Sequence, residues 1–193
     1  PLTGIYKPGL RLLQMASLSL EHNDLRRLAS SFLHKMCEQF RENVNLSVID
    51  DANVVYLDVV ESPQRVKLAA APGESLPAFC TASGKAILAF LPEETVRRIL
   101  EQGMPRHTQA TLVTPEAFWE NSRQIREQGF AISEQEFEEG INAIAAPICH
   151  FPIASVSIAG PAYRLTRERM LEIGPLLVKV ANDIAHEIEI AKI

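Results

Sequence analysis

The sequence predicts an α+β fold: one antiparallel sheet with helices segregated around it. Three observations carry this. The stretch "VNLSVIDDANVVYLDVV" alternates apolar and polar residues on both sides of a turn, as a β-hairpin does. Three further strand-like runs lie close together in the C-terminal third. Amphipathic helical patterns flank the strands at both ends of the chain rather than alternating with them, which disfavours a doubly wound parallel sheet.

Taken in order, Gly9–Leu20 has a short helical pattern with Leu10, Leu13 and Leu20. From Asn23 to Phe40 the apolar residues Leu25, Leu28, Ala29, Phe32, Leu33, Met36, Cys37 and Phe40 follow the spacing of one helix face, with Asn23 in position to cap it. In the hairpin, Val44, Leu46 and Val48 alternate with polar residues, Asp50–Asn53 turns the chain, and Val54–Val60 returns. Arg65–Ala69 is a candidate third strand. Helices follow over Gly84–Leu91, Glu93–Gln102 and Glu116–Gln128, the last preceded by Thr114 as cap and Pro115 at its first position. Strands are expected at Phe130–Glu134, Ile141–Cys149 and Ile153–Gly160. Thr166 then caps a long helix carrying Met170, Ile173, Leu177, Val180, Ile184 and Ile188. Within it Pro175 lacks the N–H that would bond to the Leu171 carbonyl, so Gly174-Pro175 is expected to kink or interrupt it.

The bulk numbers narrow the function. At 193 residues the chain suits one domain, with or without a short appendage, and is long enough to bury a core without disulfides or metal. No apolar run approaches the ~20 residues of a membrane span, and no signal-peptide pattern opens the chain. The three cysteines, Cys37, Cys80 and Cys149, are scattered and odd in number, which points to a reducing cytoplasm. A net charge of −5 argues against this chain being itself a nucleic-acid surface. The chain starts at Pro1, consistent with a processed terminus or a piece of something longer.

Four patterns carry possible chemistry. Ser83-Gly84-Lys85 ahead of an apolar helix suggests a phosphate loop, but Phe79 holds the place of the first glycine and Ala86 that of the magnesium-binding Ser or Thr. Cys149-His150 is half a metal site, which Cys80 could join, yet no CxxC or HxxxH spacing completes it, so neither metal nor cofactor is expected. Cys80 or Ser83 at a helix start could act as a hydrolytic nucleophile, but none of the five histidines falls in a recognisable catalytic motif. Glu134, Glu136, Glu138 and Glu139 form an acidic run whose default reading is a solvated loop.

Three segments, "LPAFCTASGKAILAFLPEE", "ATLVTPEAFWENSRQIREQGFAISEQEFEEGINAIAAPI" and "ASVSIAGPAYRLT", resemble in order and spacing the effector-binding domain of the IclR family of bacterial transcriptional regulators. At the front, "YKPGLRLLQMA" resembles the end of that family's winged helix-turn-helix and its linker helix. The resemblance implies residues 1–20 as a linker following a DNA-binding domain that this chain lacks, and residues 21–193 as the effector-binding domain. It implies a GAF-like, profilin-like fold: a curved antiparallel sheet with long helices on one side and a ligand pocket on the other. It also implies a cytoplasmic regulator rather than an enzyme, assembled as a homodimer or tetramer, reaching operator DNA only through the missing domain, and binding a small organic acid.

In family members that bind such acids, backbone amides at a helix start hold the acid group; here those are Ala82 and Ser83, with Gly84 permitting close approach and Lys85 expected on the outer side of the helix. The remaining pocket residues implied are Ser133, Ile141, Ala143, Ser157 and Ala159, with Asn142 pointing to the opposite face. Ala143 and Ala159 stand where other members have hydrogen-bonding residues, and Ser133 where many have an acid, so the expected ligand is a larger or more apolar acid. Two other readings compete: a dimerisation module with a vestigial pocket, and a small hydrolase using Cys80 or Ser83.

Overall fold

A computed structural model describes residues 9–11, 24–149 and 154–191. Most of the expected linker, the Asn23 cap, His150 and Ile153 lie outside these residues. Helix α1 (Asp24–Phe40) buries Leu25, Ala29, Leu33, Met36 and Cys37, the stripe its spacing dictates. It ends at Arg41, which takes the left-handed conformation (φ 59°). Strands β1 (Asn43–Asp50) and β2 (Asn53–Val60) then form the expected hairpin, turning through Asp51 at φ 52°.

The candidate strand at Arg65–Ala69 is not a strand. Its carbonyls are taken by side chains instead of a neighbouring strand: Arg164 donates to Val66 O (2.8 Å) and Asn43 to Leu68 O (3.2 Å). The third strand, β3, is the shorter Ser75–Pro77, paired with β2. A 3₁₀ turn (Ala78–Cys80) leads into α2 (Ala82–Leu88), followed by α3 (Glu93–Glu101) and α4 (Pro115–Gln128). Thr114 accepts from the Ala117 N–H (3.2 Å), and Gly129 closes α4 at φ 84°, a conformation glycine adopts at no steric cost. Strands β4 (Ala131–Glu134), β5 (Ile141–Ile148) and β6 (Ala154–Pro161) precede the long α5 (Arg167–Ala191).

Helix α5 runs on through Pro175. Pro175 and Leu171 are both exposed, so water can take the carbonyl that the proline leaves without a donor, and Gly174 is buried directly against the Phe130 ring. Solvation on one side and packing on the other keep the helix going.

The six strands form one antiparallel sheet in the order β3-β2-β1-β6-β5-β4, the β1–β6 pairing joining two halves that are distant in sequence. Alternation along the strands sorts its two faces. Leu46, Ile144, Val156 and Ile158 pack against α1 and α5 in the main core. Ala145 and Ala131 turn to the other face, under α2 with its Ala82, Ala86 and Ala89. Every residue of β6 is buried because both faces are covered. Small residues on this second face let α2 lie close to the sheet, and its N-terminal end reaches the site.

Candidate functional site

A cavity of about 270 Å³ lies between the N-terminal end of α2 and the sheet. Helix α2 contributes Ala82 and Ser83, preceded by Thr81; β4 contributes Ser133, β5 Ile141 and Ala143, and β6 Ser157 and Ala159. Seven of the eight residues expected from the sequence thus meet in one place. Gly84 does not line the cavity. Its bare Cα instead faces the chain's own backbone: a Cβ there would lie 2.2 Å from Ala78 O and 2.3 Å from Ala78 Cα. The glycine serves the seating of α2 on the 3₁₀ turn.

Thr81 organises the helix start. Its hydroxyl donates to Pro77 O (2.9 Å) and accepts from the Gly84 N–H (3.3 Å), while its carbonyl accepts from the Lys85 N–H (2.9 Å). With these later donors satisfied, Ala82 and Ser83 are the residues whose N–H groups open the helix without an intrahelical acceptor. The helix dipole adds partial positive charge at the same end. On the sheet side Ser133 Oγ donates to Cys80 O (3.2 Å), and Asn45 Nδ2 donates to Ser157 Oγ (3.4 Å). Asn142 points to the other face as expected and donates to Leu165 O (2.9 Å).

Several wall residues were not legible in the sequence. Tyr56 from β2, Leu76 from β3, the irregular segment Lys67–Ala70 with Glu74, and Phe137 with Glu138 complete the cavity. The two loop segments follow no periodicity that marks which residues face inward. Burial, reinforced by the charge of Glu74, pushes the Tyr56 phenol up to about 12, so it stays a hydrogen-bond donor at neutral pH. Lys67 pairs with Glu61 at the cavity edge.

Lys85 is not on the outer side of α2. It is fully buried, its ammonium bonded to the Glu136 carboxylate and to Ile132 O (2.7 Å). Glu136, expected in a solvated acidic loop, is correspondingly buried. Desolvation raises its pKa, with Lys85 opposing that shift. The sequence concealed the pair because its members lie 51 positions apart and each alone reads as a surface residue.

Nucleophilic chemistry finds no support at this helix start. Cys80 is buried, and desolvation, followed by the charge of Glu136, pushes its thiol up to about 12, away from the thiolate that attack requires. Among the described residues no group of three or more His, Cys, Asp or Glu is placed to hold a metal ion. Among the same residues no helix is long and apolar enough to cross a membrane.

Comparison with known proteins shows the family of the chain. The family described as bacterial transcriptional regulator IclR, C-terminal, matches residues 17–186. The transcriptional repressor IclR of Escherichia coli K12 is 31% identical over 189 residues, covering 94% of this chain and 68% of that protein. The crystal structure of the Thermotoga maritima IclR superposes with a TM-score of 0.86 at 30% identity, covering 95% of this chain and 76% of that one. The inducer-binding domain of an Acinetobacter PobR double mutant, solved with 3-hydroxybenzoic acid, gives a TM-score of 0.74 at 27% identity, covering 82% and 96%. These relatives are transcription factors, not enzymes, and the hydrolase reading falls with them. The chain belongs to the IclR family of bacterial transcriptional regulators, as its C-terminal, effector-sensing domain.

Proposed function

We propose that the cavity binds a small organic acid whose carboxylate is held by the Ala82 and Ser83 amides, and that its occupancy governs a cytoplasmic, homo-oligomeric regulator. The observation that carries this is convergence: seven residues implied by the family resemblance, from one helix and three strands, meet in one cavity. A helix start supplies N–H donors and positive potential, which suit a carboxylate as well as a phosphate. Ser157 offers a further polar contact on the sheet side, and Ile141, Ala143 and Ala159 supply apolar wall. At ~30 Å³ per water-sized group, the cavity has room for about nine such groups. That volume fits a single-ring acid, and the PobR domain solved with 3-hydroxybenzoic acid is a structural neighbour with such a ligand.

In this reading residues 1–20 link the domain to a winged helix-turn-helix that contacts operator DNA, and the assembly is a dimer or tetramer. The effector acts only if it binds one arrangement of the regulator more tightly than the other. The competing reading, a dimerisation module with a vestigial pocket, rests on the alanines at 143 and 159, which cannot hydrogen-bond a ligand through their side chains. A thermal-shift screen against small, aromatic and sugar-derived acids separates the two. An acid at 100 times its Kd adds about 2.7 kcal/mol, which at ~2–4 °C per kcal/mol raises the melting temperature by about 5–10 °C. Absence of a shift across the panel would leave the vestigial reading standing.

A further inference from the structure

We infer that Lys85 and Glu136 are positioning residues for the cavity, a buried ionic tie that sets the separation of two of its walls; this rests on the reading of the cavity as an effector site. Lys85 lies one turn along α2 from Ala82 and close behind Ser83, both cavity residues. Glu136 lies on the β4–β5 connection immediately before Phe137 and Glu138, which line the same cavity. The two side chains are 1% and 9% exposed, and the ammonium also holds Ile132 O on β4 (2.7 Å). One bonded group therefore connects the helix that presents the amides to the connection that faces them.

The connection has little freedom elsewhere. Thr111 Oγ1 donates to Glu136 O (2.7 Å) and Thr108 Oγ1 to Gln135 O (2.6 Å). Gln135, at φ 57°, accepts through its side chain from the Gly140 N–H (2.8 Å). Phe137 also packs on His107, their ring centroids 5.0 Å apart. Glu136 is thus fixed at its backbone by one loop and at its carboxylate by α2.

Stability alone does not account for this pair. Two charges lose their hydration on burial, and an apolar pair of similar volume is often as stable or more so. Moreover Glu136 Oε2 is buried with no hydrogen-bond partner among the described residues, a further cost that good packing would remove. What the pair supplies and an apolar pair lacks is direction: it fixes the distance and orientation of α2 relative to residues 136–138.

Two variants of the 193-residue chain test this. Lys85→Met together with Glu136→Leu keeps the volume and removes both charges, so the fold survives. Hydrogen exchange is expected to quicken about tenfold over residues 134–141, while residues 43–50 and 154–161 stay near wild type, the mark of local rather than global loosening. Unchanged exchange over 134–141 would overturn the inference. Glu136→Gln separates positioning from charge. Its amide oxygen still accepts from the Lys85 ammonium while the negative charge is gone. A purely electrostatic role therefore tightens binding of an anion such as 3-hydroxybenzoate, whereas positioning predicts binding near wild type in this variant and several-fold weaker binding in the double variant. Tighter binding by Glu136→Gln, or unchanged binding by the double variant, contradicts the inference. If wild type binds no acid of the panel, the effector reading fails, and the exchange measurement still decides the role of the pair.

Discussion

Lys85→Met alone is expected to cost the fold about 3–5 kcal/mol, because it strands a buried carboxylate without its counter-charge. At ~2–4 °C per kcal/mol the melting temperature should fall by roughly 6–20 °C. Glu136 already has a raised pKa from burial, with Lys85 opposing the rise, and removing Lys85 raises it further. A group whose folded pKa lies above its unfolded one contributes stability at low pH and loses it as pH rises through the folded value. The variant should therefore be least impaired near pH 5 and most impaired near pH 8. Restoration of most of the loss by Glu136→Leu in the same chain would show that the stranded charge, not the missing methylenes, is responsible. A single variant melting within a degree or two of wild type at pH 8 would show that the pair is not buried as described.

Gly84→Ala is the second large expected effect, and its direction opposes helix propensity. Alanine in place of a helical glycine ordinarily gains up to ~1 kcal/mol. Here the new Cβ would meet Ala78 O at 2.2 Å, its Cα at 2.3 Å and its carbonyl carbon at 2.6 Å, all of them backbone. A three-residue turn cannot swing aside as a long side chain can, so the clash falls near the upper end of ordinary overpacking, ~3 kcal/mol. The net loss of about 2 kcal/mol lowers the melting temperature by roughly 4–8 °C in a thermal denaturation. A rise in melting temperature would contradict the close seating of α2 on the Ala78–Cys80 turn. The substitution should also weaken acid binding, since moving α2 off the turn moves the Ala82 and Ser83 amides.

These two residues also mark where the sequence was and was not legible. Local patterns gave the hairpin, the capped α4 and the buried stripes of α1 and α5, because period 2, period 3.6 and capping chemistry act over a few residues. The family resemblance, not periodicity, implied Ser133, Ile141, Ala143, Ser157 and Ala159 as pocket residues, and period-2 alternation added only that Asn142 points to the opposite face. Legibility failed where long-range contacts decide. Arg65–Ala69 has the composition of a strand, but Arg164 and Asn43 capture its carbonyls from distant parts of the chain. Pro175 has the signature of a break, yet exposure on one side and Gly174 against Phe130 on the other carry α5 through. Lys85 and Glu136 are each unremarkable alone, and only the fold brings them together. The Gly-Lys that suggests a phosphate loop therefore divides into two structural roles, one residue seating α2 and the other tying it down.

In the proposed function the amides opening α2 hold the acid group of an effector. An amide NMR titration of the isotopically labelled 193-residue chain, with the acids that raise its melting temperature, tests this most directly. Saturable shifts are expected, centred on the Ala82 and Ser83 N–H groups and extending to Ser133, Ala143 and Ser157. Saturable shifts elsewhere that leave Ala82 and Ser83 unmoved would contradict it.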